Sequence, residues 1–221
     1  MNTGSIDPPN PGVKPRSYDA SRRRAGAART HTRVLEVAER LLLSKGYAAT
    51  SLAAIATAAE VSVELIYKTF GGKAGLVREI QRRGLLGAGP VPAPERSDAV
   101  SGTDIDARSL LNEWTRLSTE VAPRVAPIML LVRSAAETDA DLGDLLEQMA
   151  AQRLERMAVN AERLTAHAGV RRDLTVEQIR DVMWTYTSPD LYDLLVGQRG
   201  WTVDQYRDFL FRGLTGQLLE S

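Results

Sequence analysis

Apolar residues recur at spacings of three and four along most of the chain, and nowhere do they alternate persistently with polar ones. Val34, Leu35, Ala38, Leu41 and Leu42 fall on one face of a helix, since positions three and four apart lie one above the other. That stripe stops at Gly46, a residue suited to the left-handed position after a helix. Further on, Leu110, Leu111, Trp114 and Leu117 form a second stripe, and Pro123 and Pro127 are expected to break the path before Ile128 to Val132. Leu142, Leu145, Leu146, Met149, Leu154 and Met157 mark a long helix expected to close at Gly169. Thr175-Val-Glu-Gln178 and Thr202-Val-Asp-Gln205 both fit the capping box, and Ser188-Pro189 fits a cap followed by proline in the first helical turn. The pattern predicts an all-α fold.

Two stretches interrupt it. Residues 1–28 combine a Pro-, Gly-, Ser- and Asn-rich start with the basic run containing Arg22, Arg23 and Arg24, and are expected to form a disordered basic arm. Residues 87–102, GAGPVPAPERSDAVSG, read as a linker. The chain then divides into the arm, a module at 29–86, the linker, and a larger helical module at 103–221.

The first module holds the most specific pattern. Thr50 and Ser51 can cap a short helix bearing Leu52, Ile55 and Ala56, and a tight turn at Ala59, Glu60 and Val61 follows. Ser62 can cap a second short helix, VELIYKTF. Two such helices, with the second exposed, form a helix-turn-helix that lays its second helix in the DNA major groove. Ile66 and Phe70 are expected to face the core. Tyr67 and Lys68 suit phosphates, one by a hydrogen bond and one by charge. Val63 could rest on a thymine methyl, and Glu64 could accept from a cytosine amino group.

Gly71-Gly72-Lys73 at first suggests a nucleotide loop, but Lys73 is followed by Ala74, Tyr67 stands where that loop needs glycine, and no strand precedes it. The same residues instead open a helix whose N-terminus, with Lys73, could grip a DNA phosphate.

Charge supports a polyanion partner at one end. Net charge is zero, yet residues 1–83 carry +7 and residues 84–221 carry −7. With no cysteine and only His31 and His167, no metal site is expected. No cofactor motif is present, and no apolar run suffices to cross a membrane. A cytoplasmic protein without a membrane partner is expected.

The residues from Gly46 to Leu76 resemble the DNA-binding signature of TetR-type transcriptional regulators. The quoted elements are Gly46-Tyr47, Thr50-Ser51, Ile55-Ala56, Val61-Ser62, then Tyr67, Phe70, Lys73 and Leu76. Trp184 to Trp201 resembles the C-terminal region of many actinobacterial members. The resemblance implies an N-terminal three-helix helix-turn-helix domain and a larger C-terminal domain for effector binding and dimerisation. It also implies a homodimer, most simply a repressor that a small effector releases from a palindromic double-stranded DNA operator. Thr50, Ser51, Tyr67 and Lys73 match phosphate-contacting positions, while Ser62, Val63, Glu64 and Lys68 fall on the reading helix. Glu60 departs from the usual glycine of the turn, and Leu65 from a common threonine.

The resemblance further implies that Thr175–Val196 and Thr202–Leu219 pair across a dimer axis. Phe209, Leu210, Leu214 and Leu218, with Gly213 and Gly216, could serve that face or the core of one subunit. Trp114, Met129, Arg133, Met149, Met183 and Tyr186 are candidates to line an effector pocket, apolar with one polar anchor. No local cluster of acids, bases and nucleophiles suggests an enzyme. The competing reading is a helical small-molecule-binding protein or enzyme whose basic N-terminal region is incidental; an architectural DNA binder would lack a cavity.

Overall fold

The stripe that begins at Val34 belongs to a helix, α1, spanning Arg16–Lys45. The computed structural model describes residues 16–220, and side chains from residue 21. From Arg16 onward the expected disordered arm is therefore helical, and the rest of that arm lies outside the described residues. Once the apolar stripe fixes the later turns, nucleation is complete, and Ala and Arg extend a helix at little cost.

Three short helices follow: α2 (Leu52–Ala58), α3 (Val63–Phe70) and α4 (Lys73–Gly84). Their inner faces meet α1 in a core containing Leu42, Ile55, Ile66, Leu76 and Val77. This core also takes Ile128 and Val132 from α6 (Ala107–Ala136) and Leu142, Leu145 and Met149 from α7 (Ala140–Thr165). A second core joins the other halves of α6 and α7 to α8 (Val176–Tyr186) and α10 (Val203–Leu218). The two cores thus divide α6 and α7 across their length, not at residues 87–102.

Those residues are not a free linker. Ala93–Ser101 form a helix, α5, with proline in its first turn. Arg96 Nη2 lies 2.7 Å from Glu120 Oε1 on α6, and Asp98 accepts from both Arg156 and Arg163 on α7. Sequence composition hides these ties because their partners stand more than twenty residues away.

Nor do Pro123 and Pro127 break α6, which runs through both. Each removes one helical hydrogen bond, a loss of about 3 kcal/mol in an isolated helix. Packing of Val125, Ala126, Ile128 and Val132 offsets it. α7 ends at Thr165, before Gly169. Gly169 instead accepts from Glu220 N–H (2.9 Å) beside the isolated antiparallel bridge Val170–Leu219.

Both capping boxes form, at Thr175 and Thr202. Ser188 caps α9 (Pro189–Tyr192), which passes into a π-helical stretch, Asp193–Gln198. The expected continuous helix Thr175–Val196 is therefore interrupted at Thr187. On α10, Leu210, Leu214 and Leu218 are buried within the subunit. A Cβ on Gly213 would strike the Tyr186 ring, whereas Gly216 faces open space. Most of the residues eligible for a dimer face thus serve this subunit's own core. Among the described residues no helix is long and apolar enough to cross a membrane.

Candidate nucleic-acid interface and ligand cavity

Ser51 caps α2 by accepting from Ala54 N–H (3.1 Å), and Ser62 caps α3 by accepting from Leu65 N–H (3.2 Å). The turn between them closes when Val61 N–H donates to Ala56 O at 3.0 Å. Glu60 supplies its left-handed residue at φ 52°, alone among the described non-glycine residues. A side chain is strained there, and the exposed contact with Arg33 (3.3 Å) offsets little of it. The departure noted in the sequence is thus a real one in the backbone.

On α3, Ile66 is fully buried and Phe70 packs on His31, with ring centroids 4.8 Å apart. The opposite face presents Glu64, Leu65, Tyr67, Lys68 and Thr69 to solvent. Tyr67 is 57% exposed and Leu65 39%, enough for both to touch a partner. Glu64 stays ionised: its own backbone N–H and the Ser62 hydroxyl hold its carboxyl below the usual range.

Three expected contacts are drawn wholly or partly inward. Val63 leans on the core and is only half-exposed. Thr50 is buried, its hydroxyl donating to Gly46 O (2.8 Å) and Leu41 O (3.2 Å), which fastens the end of α1. Lys73 Nζ turns inward to Tyr47 O (2.8 Å) and Thr50 O (3.1 Å), lying 3.8 Å from the Tyr47 ring centroid. Burial lowers its pKa, and Asp139 partly counters that. Lys73 thereby pins α4 to the loop after α1. Leu65 and Thr69, one turn apart, join the exposed face. The helical spacing from Leu65 would have found Thr69.

Gly71 (φ 76°) ends α3 and Gly72 (φ 116°) starts α4, with no side chain capping the latter. Gly75 lets the two helices touch, since a Cβ there would sit 1.6 Å from Phe70 O. Arg22, Arg23 and Arg24 are exposed near the N-terminal end of α1.

A cavity of about 480 Å³ opens among α4, α5, α6, α7, α9 and α10. Trp114, Met129 and Met149 line it. Arg133 does not; it pairs with Asp190 on the outside at 2.8 and 2.5 Å. Met183 is buried in the second core, and Tyr186 packs beside Phe209 and Gly213. The charged residues in the wall are instead Arg153, Glu155 and Arg156, the last paired with Asp98, and Asn160, Tyr192 and Tyr206 accompany them. An arginine in a charged helical stretch gives no sequence sign that it points inward.

Residues 34–80, from the apolar part of α1 to α4, match the family model described as bacterial regulatory proteins, tetR family. Residues 34–80 therefore carry a TetR-type N-terminal domain. Within that match α2–turn–α3 is the TetR-type helix-turn-helix, the DNA-binding element of such domains. No curated protein matches the chain. Among solved structures it is similar to native NalD, the secondary repressor of the MexAB-OprM multidrug efflux pump in Pseudomonas aeruginosa. That TM-score is 0.69, at 21% identity, covering 88% of this chain and 99% of that one. A transcriptional regulator from Saccharomonospora viridis in complex with choline gives 0.66 and 21%, covering 88% and 100%. A SmeT–triclosan complex gives 0.69 and 15%, covering 87% and 92%. At these identities the likenesses concern the fold, so the arrangement of helices seen in those structures extends over most of the chain.

Proposed function

We propose that the protein is a homodimeric repressor that holds a palindromic operator and leaves it when a small effector fills the cavity. In this reading α3 enters the major groove with Glu64, Leu65 and Lys68 toward the bases and Tyr67, Ser51 and Ser62 beside the phosphates. Arg22, Arg23 and Arg24 extend the contact along the DNA. A cytoplasmic location follows from the partner.

One observation carries the ligand-responsive part: Gln81 of α4 and Leu85, just past its end, stand in the cavity wall. The other end of α4 meets α3 through Gly71, Gly72 and Gly75 and is pinned by Lys73. A ligand that displaces the C-terminal half of α4 therefore moves the reading helix as well. An effector acts only through such a difference in affinity between two arrangements. The dimer reading draws on the family and on the outward surface of α8 and α10, where Trp184 is 37% exposed and Gly216 is open.

Selection of bound fragments from random duplex DNA tests this directly. An inverted repeat with half-sites about one helical turn apart, or a multiple, is expected. Recovery of single, unpaired sites would refute the dimeric reading.

A further inference from the structure

Arg153 lies on α7 in the cavity wall, and its surroundings are unusual for a cation. Its Nη1 donates to Trp184 O (2.5 Å) and Thr187 Oγ1 (3.3 Å), and its guanidinium lies 4.2 Å from the Trp184 ring centroid. These neighbours are neutral. Its Nε is buried and has no partner. No carboxylate among the described residues forms an ion pair with it: Asp190 is taken by Arg133, and Asp98 by Arg156 and Arg163. Burial lowers the Arg153 pKa to about 10, with the nearby Asp190 countering part of that, so the group remains charged near neutral pH. A partly buried charge with no ion-pair partner of its own is costly, and supplying a partner has a large effect.

A second donor in the same wall is also unmatched. Trp114 is 4% exposed, lines the cavity, and its indole N–H has no acceptor. The Tyr206 hydroxyl, by contrast, is already directed to Tyr186 O at 3.4 Å. Met129, Met149 and Leu210 make much of the remaining wall apolar. Glu155, the one acid in the lining, is solvent-exposed.

We infer that the ligand of this cavity is a small organic acid, an apolar body with a single anionic head held by Arg153 with the Trp114 indole N–H as a further donor. This rests on reading the cavity as the effector site. A carboxylate supplies two acceptor oxygens to a guanidinium in planar, bidentate fashion. A cationic ligand of the same size is repelled by Arg153, and a neutral one leaves the charge unmatched.

Three probes with one apolar tail separate the possibilities: octanoate, 1-octanol and octyltrimethylammonium, titrated calorimetrically into the full chain. Octanoate is expected to bind about tenfold or more tightly than 1-octanol, the ratio of a charge-assisted hydrogen bond to none, and the ammonium not measurably. Arg153→Gln should erase the preference for octanoate over 1-octanol, with an unchanged far-UV circular dichroism spectrum establishing that the variant folds. Arg153→Lys should keep part of the preference. Equal binding of octanoate and 1-octanol by the unsubstituted protein, or an undiminished preference in Arg153→Gln, overturns the anionic-ligand inference and leaves the cavity reading standing. Failure of all three probes to bind overturns the cavity reading and this inference with it.

Discussion

Replacing Lys73 by Met tests whether that side chain pins the fold or clamps DNA. The ammonium donates to two backbone carbonyls, Tyr47 O at 2.8 Å and Thr50 O at 3.1 Å, and stacks on the Tyr47 ring. A hydrogen bond from a charged donor contributes about 1.5–3 kcal/mol, and a cation–π contact about 0.5–2 kcal/mol. Lys73 is only half-buried, and the carbonyls can recover water, so the sum is discounted to about 2 kcal/mol. At this chain length, that corresponds to a Tm lower by about 4–8 °C. Calorimetry measures the loss, and DNA titrations at several salt concentrations measure the rest. If Lys73 touched a phosphate, the slope of log affinity against log salt would shrink by about 0.9 per contact. The pin predicts an unchanged slope. A Tm within a degree or so of the parent, together with a smaller slope, would refute the pin and restore the clamp.

Glu60→Gly should raise stability by about 1 kcal/mol in urea titration, because it relieves the left-handed strain at φ 52°; a loss of stability would contradict that. Gly75→Ala should abolish DNA binding in a gel-shift assay, since its Cβ would meet Phe70 O at 1.6 Å and force α3 away from α4; normal affinity would refute the close approach. Leu65→Ala should change which operator sequences are preferred more than total affinity; uniform weakening in a selection experiment would deny Leu65 a reading role. Alkaline pH should destabilise the protein. Tyr47 is pushed up to about 12, first by burial and then by Asp139, and burial raises Tyr206 as well. Because the folded chain holds these protons more tightly than the unfolded one, their contribution is complete below about pH 10. It falls by up to about 1.4 kcal/mol per pH unit per group above that. Tyr47→Phe should flatten the fall in denaturant melts between pH 9 and 11, and parallel curves would refute the assignment.

The sequence by itself determined what depends on neighbours along the chain. Helical periodicity, the Thr175 and Thr202 capping boxes, the Ser51 and Ser62 caps and the Ile66–Phe70 inner face are local patterns, written within one or two turns. The strained turn at Glu60 was legible for the same reason. Tertiary structure alone decided where ambivalent side chains point. A lysine at a helix start can equally meet a phosphate or a carbonyl, and only the fold brings Tyr47 O and Thr50 O to Lys73. Thr50 vanished into the end of α1, a polar stretch became α5 once Glu120, Arg156 and Arg163 stood opposite it, and Pro123 and Pro127 were carried by packing on both sides of α6. Arg133 turned outward because Asp190, fifty-seven residues away, pairs with it, while Arg153 took a place in the cavity wall without an ion-pair partner of its own. Contacts at that separation leave no periodicity for a sequence to display.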